Sequence, residues 1–154
     1  MENRITQLAL LMVGIFTGAM LLIGVGLIPY WNSLPPLEFA LWFSKNSHFL
    51  GTLMIPLGMS STLVTIIAAA MGIKQRSDQS YWLAIAAFAA VSAAIIFPIH
   101  FVGANASIQS LTMTSTEIVT ELEAWSNWHW LRTACATVAY IALVQSIFTS
   151  SRKH

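Results

Sequence analysis

Four long apolar runs, divided by short polar stretches, set the pattern of this chain. Ile5 to Leu37 carries no charge, and its apolar core predicts a first helix over about 7–30. Further helices are predicted over about 48–73, 81–102 and 125–150. Each is long enough for the roughly 20 residues that a membrane crossing needs. The expected fold class is all-α, an integral membrane four-helix bundle in which 1–154 forms a single four-span domain. No clean cleavage site follows the first run, so it reads as an uncleaved anchor.

Composition strengthens this reading. Of 154 residues, 56% are hydrophobic and 8% charged, where a soluble domain carries about 25% charged residues. So few charges cannot cover a water-facing surface. The net charge of +1, with no basic cluster, gives no sign of a nucleic-acid partner. The lone Cys135 can form no internal disulfide and reads as a small core residue.

Charge placement orients the chain. Arg4, Lys74, Arg76, Arg152 and Lys153 all fall on one side of a four-span topology. The positive-inside rule makes that side cytoplasmic, with both termini in, as expected of a multi-pass protein of the bacterial inner membrane. The opposite side holds two longer connections. Pro35-Pro36 is expected to open a short interfacial helix with Leu37, Leu41 and Trp42 on one face. The stretch 103–124, with Glu117, Glu121 and Glu123, is expected to form part of a polar cap. Gly14, Gly18, Gly24 and Gly26 in the first span and the alanines of the third suggest close helix packing and self-association. Pro56 and Pro98 lie inside spans and free backbone carbonyls.

The candidate chemistry gathers at the non-cytoplasmic ends of the spans. Trp125, His129 and Arg132 form one stripe on span four. An arginine within a membrane segment is costly, by roughly 2.5–3.5 kcal/mol on insertion scales. Trp128 lies one turn before Arg132 and offers it a cation–π face, while Trp130 suits the interfacial aromatic belt. Topology brings His48, His100 and Asn105 to the same level. Two readings of the histidines stay open. They line a polar pocket, or His48, His100 and His129 hold zinc or copper, with Met54 or Met59 as soft additions. A haem pair of His100 and His129 is a weaker third. Asn105-Ala-Ser107 also matches the glycosylation pattern. No nucleotide loop, dinucleotide fingerprint or Ser-His-Asp grouping occurs. His154 is terminal and carries no assigned role, and Glu38 reads as a wet loop carboxylate.

Three places together resemble one family. Gly14-Ile-Phe-Thr-Gly18-Ala-Met with Pro29, Phe97-Pro98-Ile-His100-Phe-Val-Gly-Ala-Asn105, and Trp125-x3-His129-x2-Arg132 occur in the order seen in the DUF1772 group, the anthrone oxygenase-like family of small four-span membrane proteins. The resemblance implies oxidation of an anthrone or related lipophilic phenolic molecule with dioxygen. It carries a role to Asn105, Trp125, His129 and Arg132, and leaves His48 and His100 outside the pattern. The enzyme reading makes His129 a general base, with Arg132 and Asn105 stabilising an enolate or phenolate, and Trp125, Trp128, His100 and His48 contacting substrate. Its counterpart is a non-catalytic assembly or carrier module, in which Arg132 caps carbonyls freed near Pro98 and His129 is structural.

Overall fold

The computed structural model describes residues 2–151, with side chains from Arg4 to Thr149. The regular structure of these residues is entirely helical. Four helices run up and down: α1 (2–33), α2 (Pro36–Lys74), α3 (Ser80–Gln109) and α4 (Ser115–Ser151). Each is long and apolar enough to cross a membrane. Arg152, Lys153 and His154 lie outside the described residues. The end of the bundle where α1 begins and α4 finishes is the proximal end, and the opposite end is distal.

The distal connections differ from the expectation. Pro35-Pro36 opens no separate interfacial helix, because α2 starts at Pro36 and continues for 39 residues. Proline's fixed φ suits the first helical position. Asn46, a natural point for a break, instead donates its amide back to the Trp42 carbonyl at 2.7 Å and stays inside the helix. The face that packs is Phe39, Ala40 and Phe43, while Leu37 and Leu41 are exposed. The second connection is also shorter than expected. α3 continues to Gln109, and a tight turn leads into α4 at Ser115. Thr114 and Glu117 form a reciprocal cap there: Glu117 Oε2 accepts from the Thr114 backbone N–H and hydroxyl, both at 2.7 Å.

At the proximal end α2 closes in a Schellman turn. The Ser77 N–H bonds the Gly72 carbonyl at 3.0 Å and the Arg76 N–H bonds the Ile73 carbonyl at 3.1 Å. Arg76 takes the left-handed position with φ 52°.

Each helix packs on its two neighbours around a square, α3 against α4 most extensively. Two cores result. The proximal one is built from small side chains, among them Ala9, Ala68, Ala86, Ala90 and Ala139. The distal one is aromatic, with Phe16, Trp31, Phe39, Phe43, Phe101 and Trp125. Two helices change pitch beside the aromatic core. α1 contains a π turn at Ile23–Leu27 and α3 one at Phe97–Phe101. The second holds Pro98, whose missing N–H cannot complete an α turn. Pro56 leaves α2 unbroken.

Candidate functional site

The side chains that α4 sends inward meet backbone carbonyls next to both π turns. In a regular helix the Ala93 carbonyl would accept the Phe97 N–H. That N–H goes to Ala94 instead. Arg132 Nε fills the vacancy, donating to the Ala93 carbonyl at 3.0 Å. On the opposite neighbour, His129 Nε2 lies 2.9 Å from the Met20 carbonyl, one turn before the π turn of α1. A carbonyl only accepts, so Nε2 carries the proton and the neutral ring keeps its lone pair on Nδ1. Nδ1 has no hydrogen-bond partner among the described residues. The imidazole stacks on Trp125 at 5.2 Å with 7° between planes, which fixes its tilt.

Arg132 is 8% exposed and has no carboxylate partner among the described residues. Its guanidinium sits among three rings instead: Phe16 and Phe97 at 5.3 Å and Phe101 at 5.6 Å. Such faces attract a cation without neutralising it. The terminal guanidinium nitrogens make no hydrogen bond with described residues. Gly58 lies beside them: a β-carbon there would stand in ordinary contact with Nη2 at 3.6 Å and tightly against the Phe16 ring at 3.1 Å.

These groups line one cavity of about 530 Å³, bounded mainly by apolar side chains including Met20, Ile23, Phe43 and Met54. That size falls within the range of small-molecule sites, roughly 300–1,000 Å³. Asn105 lines it too, its Oδ1 accepting from Trp125 Nε1 at 3.0 Å. The Asn105 amide N–H groups stay unbonded among the described residues. Of the residues singled out from sequence, His48, Asn105, Trp125, His129 and Arg132 therefore share this cavity.

His100 and Trp128 do not line it. They stack on each other at 5.3 Å, and buried His100 Nε2 lies 3.9 Å from Glu121 Oε1, too far for a hydrogen bond. Trp128 is thus His100's neighbour, and the aromatic faces around Arg132 belong to phenylalanines. The metal reading of His48, His100 and His129 meets the same geometry. Among the described residues no three His, Cys, Asp or Glu side chains come together as a ligand set. His48 is exposed on α2, His100 faces Trp128, and His129 spends Nε2 on Met20. The same separation leaves the haem pair without facing rings. Met54 lines the cavity, whereas Met59 is 68% exposed. Glu38 is exposed and Cys135 half-buried against the distal core.

Sequence reasoning does not single out Phe16, Phe97 or Phe101 as Arg132's surroundings. Phe97 and Phe101 flank Pro98 at helical spacing, a signal that could have found them; nothing marks Phe16 among the apolar residues of α1. Comparison with protein-family models, curated proteins and solved structures yields no match.

Proposed function

We propose that this chain is a membrane-embedded oxygenase of the anthrone oxygenase-like type, acting with dioxygen on a lipophilic, weakly acidic small molecule. The observation that carries this reading is Arg132: a buried guanidinium with no carboxylate partner among the described residues, facing an apolar cavity beside an imidazole whose tautomer is fixed. His129 Nδ1 takes a proton from an activated C–H of the substrate. Arg132 and the Asn105 amide stabilise the enolate or phenolate that forms. Dioxygen, which partitions into lipid, takes electrons from that anion and bonds to its carbon. The proton held on His129 passes to the new peroxide. Loss of water then leaves a carbonyl, so a CH₂ and O₂ become C=O and H₂O. In this scheme the chain's own side chains handle every proton, and His48 serves as a cavity wall.

His129→Ala is expected to abolish oxygen consumption with anthrone as substrate in a variant that still folds and binds anthrone, with a lowered melting temperature because the tie to the Met20 carbonyl is lost. Arg132→Met should lower turnover by about 10²–10³-fold, the usual cost of losing an oxyanion donor. Full activity in His129→Ala would overturn the base assignment.

A second reading has its own observation. The polar bonds of His129 and Arg132 both go to main-chain carbonyls, as a purely structural tie would require. On that reading Arg132→Met and His129→Ala impair folding or assembly, and no lipophilic acid binds the purified wild type.

A further inference from the structure

We infer that the cavity draws its ligand sideways from the bilayer through a slot between α2 and α3, and that this ligand leads with an acidic group. The slot stands on geometry alone, while the acidic group rests on the function proposed above.

The two helices pack over the proximal half and are tied again near the distal end, and the cavity is lined by both of them between those levels. Toward the proximal end, Thr62 Oγ1 donates to the Ala90 carbonyl at 3.4 Å. Toward the distal end, Gln109 Nε2 donates to Ser47 Oγ at 2.9 Å. About 22 Å of α2 lies between these ties at 1.5 Å per residue. His48, Ile55 and Thr62 fall on one stripe of α2, seven residues apart, and Thr62 marks that stripe as turned toward α3. His48, Thr52, Ile55 and Pro56 each line the cavity and are also exposed, so this wall of the cavity opens outward.

Gly51 sits in the opening. A β-carbon there would meet only Ile55 Cδ1, at 3.8 Å. Gly58, two turns further along α2, is packed tightly, with the Phe16 ring 3.1 Å from such a carbon. The surface beside the opening suits lipid: Phe49, Leu53, Ile99 and Val102 are each more than half exposed. Toward the distal end the rings of Phe43, Phe101 and Trp125 pack with Trp31 and Phe39 over the site. A lipophile in the membrane therefore meets the slot directly. Arg132 selects its head, because a cation without a counter-ion among the described residues, in an apolar cavity, favours a group that can become an anion.

Site-directed spin labelling tests both parts. Gly51→Cys in a Cys135→Ala background is labelled with a nitroxide and reconstituted in phosphatidylcholine vesicles. Collisions with dioxygen, which dissolves in lipid, are compared with those of a water-soluble nickel chelate. The slot predicts that dioxygen dominates, and Thr52→Cys should behave alike. Dominance of the nickel chelate at both positions would show a mouth open to water and overturn lateral entry.

The probe for the head group is 1-naphthol, with 1-methoxynaphthalene as the form that cannot ionise. Added to the vesicles, 1-naphthol is expected to reduce dioxygen access at the nitroxide of the labelled Gly51→Cys variant. The ether should do so less, and Arg132→Met should erase the difference. Equal effects of the two compounds without the Arg132 substitution would overturn the acidic-head assignment. These readouts need no turnover, so they stand or fall separately from the oxygenase chemistry.

Discussion

The two halves of this bundle solve the same packing problem with opposite materials. The proximal half brings helices together over alanine: Ala9, Ala68, Ala86 and Ala139 have no measurable exposure. The distal half uses rings, which cannot interlock as closely, and leaves the cavity of about 530 Å³ among them. Backbone behaviour follows the same division. Both π turns lie beside the aromatic core, and the carbonyls bound by Arg132 and His129 lie just before them. Small side chains let backbones approach and fill space with main chain. Large ones hold backbones apart, and the resulting room is where polar groups can be held without water. The lesson is that the site is a property of the distal packing mode, and not only of the residues that line it.

The sharpest way to break the comparison is to give one half the material of the other. Ala86→Leu places a large side chain where none fits and is expected to destabilise the fold by about 1–3 kcal/mol. Gly51→Leu, facing open space in the distal half, should cost far less. Thermal unfolding of both variants in one detergent checks this, and equal losses would mean that the two halves are equally tight. A smaller effect is expected from Pro98→Ala. The restored N–H takes the Ala94 carbonyl and returns the Phe97 N–H to Ala93, where it competes with Arg132. One hydrogen bond of about 1 kcal/mol corresponds to roughly fivefold, so turnover should fall by about that factor with the melting temperature unchanged or higher. Smallest is Arg76→Gly, which relieves a left-handed non-glycine residue at the α2 terminus. A gain of about 1 kcal/mol is expected, with no change at the distal site, and a loss of stability would show that Arg76 makes contacts beyond its turn.

How much of this is legible in sequence divides along similar lines. The four spans are plain because each is a continuous apolar run that no soluble helix would carry. His129 and Arg132 stand out because polar groups in such runs must be satisfied, and Pro98 correctly marks where carbonyls come free. His48 does line the cavity, and His100 shows the limit of that reasoning. Topology assigns residues to a depth, but a side chain's direction around its helix depends on pitch, and a π turn changes the pitch. His100 lies within such a turn and faces Trp128 rather than the cavity. Phe16 is hidden for another reason: one apolar residue among many carries no mark of which ring will face a guanidinium. The distal connections read as a separate interfacial helix and a polar cap because prolines and glutamates cluster there. Pro36 and Glu117 instead serve helix starts, where both residue types are at home.

The pair of side chain to carbonyl bonds has a consequence for how the protein can change over time. His129 fastens α4 to α1, and Arg132 fastens α4 to α3, three residues apart on one helix. Together they act as a vernier: sliding α4 along either neighbour, or turning it, pulls one bond or the other out of register. The groups assigned to the chemistry are therefore also the gauge by which three helices are set. Replacing either residue would loosen that register whatever becomes of the proposed chemistry. Anyone grafting the stripe onto another bundle would have to carry the two irregular turns along with it.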